Sequence, residues 1–249
     1  MAKDLFSGHA DLYAKYRPVY PDELYNYILS FVHQKDCAWD CATGNGQAAV
    51  VLAGYFKKVF ATDISAEQLS KAVRKENIEY KVCPAESTPF PENSFDLITV
   101  AQAYHWFKWD EFKKEVQRVA KPGAVIAVWM YGGHRVDDID ADKVRDDFYR
   151  NITYPYWEPE RKLIDDNYAN VAFEYELLPV KDFSIRLQWN LDEWLGYIST
   201  WSAVQKYTRL NGQSPIPLLE EKIKNCWKPG DVKNISFPIT LKLGRVNKQ

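Results

Sequence analysis

The chain has 249 residues, 46% hydrophobic and 27% charged. That composition supports a packed core without disulfide or metal staples and excludes a disordered or fibrous protein. The 32 Lys and Arg against 34 Asp and Glu leave a net charge of −2, which argues against a protein built to coat nucleic acid or an anionic membrane. Aromatic content of 15%, with nine Trp and sixteen Tyr, points to an aromatic-lined cavity.

In chain order, residues 1–20 form an aromatic, polar lead-in. Pro21 followed by Asp22 and Glu23 suits a helix start, and Leu24, Tyr27, Ile28 and Phe31 share one face, predicting a helix over 21–34. Strand and helix then alternate. Strands are expected at 37–41, 58–62, 79–83, 95–101 and 124–130, and helices at 47–54, 65–75 and 108–120. Ser65 with Gln68 reads as a capping box, and Lys121-Pro122-Gly123 ends the third of these helices. This rhythm predicts an α/β, Rossmann-like, doubly wound and mainly parallel sheet, with helices on both faces. Beyond Met130 the rhythm stops. Residues 131–180 read as an inserted helical region, followed by a strand at 183–189, helices at 191–204 and 215–227, and a final strand at 235–246. The expected organisation is one domain over 1–249: a lead-in and helix (1–35), a core (36–130), and a cap insertion with C-terminal strands (131–249).

Cys37, Cys41, Cys83 and Cys226 show no Cys-x-x-Cys spacing, so neither a disulfide framework nor a zinc site is expected. No apolar leader follows Met1, and the longest apolar run, 124–130, is too short to span a bilayer. A soluble cytoplasmic protein that contacts neither membrane nor nucleic acid is expected. The acidic run at Asp137, Asp138, Asp140 and Asp142 reads as a solvated helix start, not a metal site.

Four segments carry chemistry. Asp40 to Gln47 joins the first strand to the first crossover helix, and Ala42, Gly44 and Gly46 let its backbone turn tightly against a ligand. Asp63 ends the second strand, 19 residues after Gly44, where an acidic side chain meets ribose hydroxyls; the competing role is to cap the Ser65 helix. Residues 84–90 form a rim loop. The fourth strand runs into Ala101-Gln102-Ala103-Tyr104-His105-Trp106-Phe107, in which His105 is a candidate base or an orienting group.

These segments, with Phe95-Asp96 and Arg118 to Gly123, come in the order and spacing of a family. The chain resembles the class I S-adenosylmethionine-dependent methyltransferases, strongly over 10–130. Residues 13–21 and 102–107 look like the small-molecule branch (methyltransferase type 11) that includes trans-aconitate-type carboxylate methyltransferases. The resemblance implies S-adenosyl-L-methionine as cofactor. The methionine part would lie on Asp40, Ala42, Gly44 and Gly46, the ribose on Asp63, and the adenine on Ile64, Ala85 and Glu86. Ala101 and Gln102 would underlie the sulfonium, while Tyr13 and Arg17 cover the carboxylate or Arg17 clamps an acidic substrate. Ala42 stands where the family more often has glycine, which is tolerable while its φ stays negative. The acceptor is expected to be a small molecule, one with a carboxylate above all, near Tyr16, Trp106, Tyr131 and Trp201 with help from His105. The aromatic segments at 154–157 and 194–201 are expected to cap the carboxyl end of the sheet.

Other readings remain open on the sequence. Gly44-x-Gly46-x-x-Ala49 with Asp63 also satisfies a dinucleotide fingerprint, so an NAD-dependent oxidoreductase is the alternative, as is a non-catalytic module that binds an S-adenosyl ligand. Oligomeric state is not encoded legibly.

Overall fold

The computed structural model describes residues 16–248; Tyr13 lies outside them. Strands whose apolar residues run on without alternation belong to a sheet covered on both faces, and β4 (Phe95–Ala101) is buried at every position but its last. It sits in a parallel set with β1 (Cys37–Cys41), β2 (Lys58–Asp63), β3 (Ile78–Val82) and β5 (Ala120–Tyr131), in the order β3-β2-β1-β4-β5. The chain moves outward from β1 to β3, then returns to lay β4 on the other side of β1. The gap between β1 and β4 is therefore the switch point, where the loops leaving two strands splay apart and open a crevice.

The sheet continues antiparallel. β9 (Lys233–Arg245) pairs with β5, and also with β6 (Arg135–Val136), β7 (Glu176–Leu177) and β8 (Phe183–Trp189). One face carries α1 (Asp22–Leu29) and α2 (Gln47–Leu52), which bury Leu24, Ile28, Ala48 and Leu52. The other carries α4 (Trp109–Val119), whose Phe112 and Val116 pack with Trp39 and Phe95. α3 (Ala66–Ser70) follows β2, and Ser65 caps it by accepting the Gln68 N–H. Two insertions flank β8. The first holds α5 (Ile139–Asp147), a widened π-type turn over Phe148–Thr153 and α6 (Arg161–Asp165). The second holds α7 (Leu191–Ser199), α8 (Ser202–Asn211) and α9 (Ile216–Ile223).

The parallel order, the helices on both faces and the late strands in the same sheet agree with the sequence reading. The acidic run is a helix start: Asp138 accepts the N–H groups of Asp140 and Ala141 at the head of α5. Differences lie at boundaries. The helices expected over 21–34, 65–75 and 215–227 are each shorter, and the one expected over 191–204 is two helices broken at Thr200-Trp201. Trp201 turns extended there to place its indole among Tyr149, Trp157 and Tyr197, a tertiary demand with no Gly or Pro to announce it. Strands β6 and β7 have two residues each, too few for any periodicity.

Ala42 departs from expectation. Its φ is +53°, in the left-handed region, so the loop after β1 takes a conformation that suits glycine. The left-handed conformation costs a residue with a Cβ about 1–2 kcal/mol, and glycine costs about 0.5–1 kcal/mol in chain entropy. Ala42→Gly is therefore expected to raise Tm by about 1–3 °C in calorimetry; an unchanged or lower Tm would show that the alanine carries no strain.

Candidate functional site

Two cavities open at the carboxyl ends of the strands. The first, a cleft of about 280 Å³, lies over β1, β2 and β4. Asp40, the fourth residue of β1, is almost fully buried; Thr43 and Thr99 donate their hydroxyls to its carboxylate, the latter at 2.7 Å. Burial outweighs those bonds and pushes its carboxyl up to about 6. Asp63 ties the next two turns: Oδ2 accepts from Gly44 N at 2.8 Å and Oδ1 from Ser65 N at 2.9 Å. It thus does cap the helix start, and it also holds the Gly44 turn (φ +57°) in shape over the cleft.

The rim loop at 84–90 is pinned from α4. Arg118 donates to the carbonyls of Phe90 (2.6 Å) and Thr88 (3.0 Å) and to Glu115. This presents Ala85 and Glu86, and Glu86 Oε1 accepts from Lys108 N at 3.0 Å. On the opposite side Gln102, at φ +58°, donates its amide to the Tyr131 carbonyl at 3.1 Å. Among the described residues the cleft is lined by four carboxylates, Asp40, Asp63, Glu86 and Glu160, and by one cation, Arg17. Glu160 Oε2 is buried there without a donor among the described residues. Such a lining suits a ligand rich in N–H and O–H donors and positive charge, and disfavours a dianionic pyrophosphate.

The second cavity, about 780 Å³, lies under the inserted segments. Tyr149, Tyr154, Trp157, Tyr197 and Trp201 give it aromatic walls, and among the described residues five arginines stand against three carboxylates. Arg161 stacks on Trp157 (4.5 Å) and Tyr149 (5.3 Å), and Arg17 on Tyr197 (5.6 Å). His105 lines this cavity, 6% exposed, with Nδ1 at 2.8 Å from the Tyr168 hydroxyl. Burial, with a lesser contribution from Arg161, pushes its pKa down to about 3, so the ring is neutral at physiological pH. Arg17, Gln102, Trp106 and Tyr131 line both cavities and form their common wall, with Arg17 donating to the Tyr131 hydroxyl at 3.3 Å.

Of the residues singled out in the sequence, the structure brings Arg17, Asp40, Ala42, Gly44, Asp63, Ile64, Ala85, Glu86, Ala101 and Gln102 to the cleft, and Trp106 and Tyr131 to the wall. His105 and Trp201 line the cap cavity only. Gly46 lines neither: it turns the chain into α2 at φ +85°, where a Cβ would meet the Tyr80 hydroxyl at 2.6 Å. Tyr16 lines neither and packs its ring on Gly196 of α7. Glu160, Arg161 and Tyr149 went unread because the cap brings them in from far along the chain. His134 went unread as well, although Gly132-Gly133-His134 directly follows a parallel strand, the position that supplies ligand-binding loops.

Comparison with known proteins agrees with this geometry. A methyltransferase-domain profile matches residues 39–128. A Dictyostelium discoideum protein described as a methyltransferase is 35% identical, covering 97% of this chain and 95% of its own. A methyltransferase of Aspergillus candidus is 27% identical over 76% of this chain and 68% of its own. The solved structure of a protein from Anaeromyxobacter dehalogenans, described as a type II methyltransferase, is 35% identical and superposes with a TM-score of 0.86 over 94% of this chain and 99% of that one. The antiparallel β9 beside β5 also departs from the six-stranded 3-2-1-4-5-6 dinucleotide sheet, so the oxidoreductase alternative falls. The chain belongs to the class I S-adenosylmethionine-dependent methyltransferases.

Proposed function

We propose that the protein transfers a methyl group to a small-molecule acceptor held in the cap cavity, and that this acceptor carries a carboxylate or another anionic group. The observation that carries the reading is the common wall: an acidic cleft and a basic, aromatic cavity meet at Arg17, Gln102, Trp106 and Tyr131. When bound, S-adenosylmethionine supplies a methyl group on a sulfonium that needs no further activation. In this reading Asp40 pairs with the amino group of the methionine part, with Gly44 and Ala42 beside it. Asp63 accepts from the ribose hydroxyls, Ile64 packs on adenine, Ala85 and Glu86 meet the adenine edge, and Ala101 and Gln102 underlie the sulfonium.

The remaining work is alignment and exclusion of water, and well-oriented reactants gain up to about 7–11 kcal/mol from positioning alone. Trp106, Tyr131 and Trp201 form the acceptor's walls, and Arg17 meets its anionic group. A carboxylate nucleophile needs no base. His105, neutral and tied to Tyr168, therefore orients the acceptor and moves no proton. Incubation with labelled cofactor and a panel of small organic acids and phenols, read by mass spectrometry, tests the reading; label found only in macromolecules would overturn it, and no turnover with any acceptor would favour a non-catalytic binding module.

Three expectations follow from the geometry. Pairing with an ammonium requires ionised Asp40, so affinity for S-adenosylhomocysteine falls as pH drops through about 6, and Asp40→Asn binds weakly with that dependence gone; calorimetry from pH 5 to 8 is the check. In the free protein the sign is opposite, because a raised carboxyl pKa stabilises the fold below about pH 4 and that contribution is lost as pH rises through about 6.

Asp63→Ala removes acceptors for both the ribose and the Gly44 and Ser65 N–H groups, so affinity drops about 10- to 100-fold and Tm falls by several degrees. Unchanged affinity in a folded variant would leave Asp63 as a helix cap alone. His105→Asn is expected to raise KM and lower kcat less than about 10-fold, against about 10²–10⁴-fold for loss of a general base. A wild-type pH–rate limb near 6.5 that vanishes in the variant would make His105 the base.

A further inference from the structure

The cap cavity contains buried donors without acceptors among the described residues. His134 stands three residues beyond β5, is fully buried, and is ringed by Trp194, Tyr197, Trp201 and Phe237. Trp194 Nε1 lies 2.7 Å from His134 Nε2. An indole nitrogen can only donate, so Nε2 is the bare nitrogen of a neutral ring and the proton resides on Nδ1. Burial, reinforced by the positive charges of Arg145 and Arg161, holds the imidazolium far below its ordinary range, in keeping with that neutral state. The Nδ1–H donor has no acceptor among the described residues, yet His134 lines the cap cavity.

Two further lining residues share this condition: Arg145 Nε and Trp157 Nε1 are buried without acceptors among the described residues. Buried donors are nearly always satisfied in native proteins, and three around one cavity point to a partner beyond the described residues. All three are donors, and the arginine excess excludes a cationic occupant despite the aromatic walls.

Resting on the reading of this cavity as the acceptor site, we propose that His134, fixed by Trp194 as a neutral Nδ1–H donor, acts with Trp157 and Arg145 to select an acceptor bearing a carboxylate or a similarly delocalised oxyanion. Arg145 adds charge as well as its N–H: it is already bound to Asp142 at 3.0 Å through another nitrogen, so its Nε remains to serve the ligand. His134 contributes direction without charge, which distinguishes a planar oxyanion from a merely polar group.

The test uses the full-length protein saturated with S-adenosylhomocysteine, with benzoate and cinnamate as probes against benzamide and cinnamamide. Binding is read by tryptophan fluorescence and calorimetry. The acids are expected to bind at least about 10-fold tighter than their amides. His134→Phe is expected to weaken acid binding about 10- to 100-fold, the range for one hydrogen bond to a charged group, and amide binding by less than about 3-fold. Trp157→Phe should give a smaller loss of the same kind. Trp194→Phe, which does not touch the cavity, should also cost acid affinity by releasing the tautomer.

If His134→Phe does not fold, nitrogen-15 spectra of the wild-type imidazole replace it: a protonated Nδ1 whose proton shifts downfield with cinnamate supports the assignment, and a protonated Nε2 overturns it. Equal affinity for acid and amide, equal losses of both in a folded His134→Phe, or no saturable binding of either acid would also overturn the proposal. Failure of S-adenosylhomocysteine to bind would instead fault the reading of the cleft, so the two failures are distinguishable.

Discussion

Asp40, one residue short of the end of β1, has a carboxyl group almost wholly withdrawn from water, and two hydroxyls, one on the following loop and one on β4, hold it there. A buried acid this far from solvent is expensive, which is why its proton is held more tightly than usual. The fold accepts that cost at the switch point, where β1 and β4 part and both following turns adopt left-handed backbone at residues with a Cβ, Ala42 and Gln102. Asp63 performs the equivalent task one strand along, fastening the Gly44 turn to the head of α3. Acid, strained turns and ligand cleft are thus one unit, and the sheet around it is the frame that holds the strand ends in place.

The two cavities differ in sign. Among the described residues, acidic side chains crowd the cleft over β1 and β2, while arginines and N–H groups without acceptors crowd the space under the cap. In the reaction proposed above, a sulfonium would meet the acidic cleft and an anionic acceptor the arginine-rich cavity, so the division of charge would keep the two from exchanging places. Only the common wall belongs to both, and Arg17 there is steered by the Tyr131 hydroxyl and the Tyr197 ring.

Much of the cleft was legible in the sequence because its signals are local. Asp40, Gly44 and Asp63 lie within one strand–turn–helix–strand unit, and their spacing is set by the length of that unit. Gly46, assigned to the same loop, does not line the cleft; it closes the turn against Tyr80. Beyond Met130 legibility falls. Glu160, Arg161 and His134 reach the cavities through tertiary convergence, and no periodicity marks such residues. The break at Thr200-Trp201 is likewise imposed by the aromatic cluster it serves. The aromatic excess did foretell a ring-lined cavity, but not that His134 would sit in its wall as a donor without an acceptor among the described residues.

The position of β9 has a kinetic consequence. This strand is the partner of β5, β6, β7 and β8 together, and its pairs with β5 join residues more than a hundred positions apart. On a ribosome, the parallel strands from β1 to β5 can associate while the rest of the chain is still being made, but both insertions stay unanchored until the final strand emerges. Contacts of such long sequence separation slow folding, since the intervening chain must be closed before they form. The cleft can therefore mature early, whereas the cavity under the cap takes shape only once β9 has paired, and is the part exposed to misassembly in the interval.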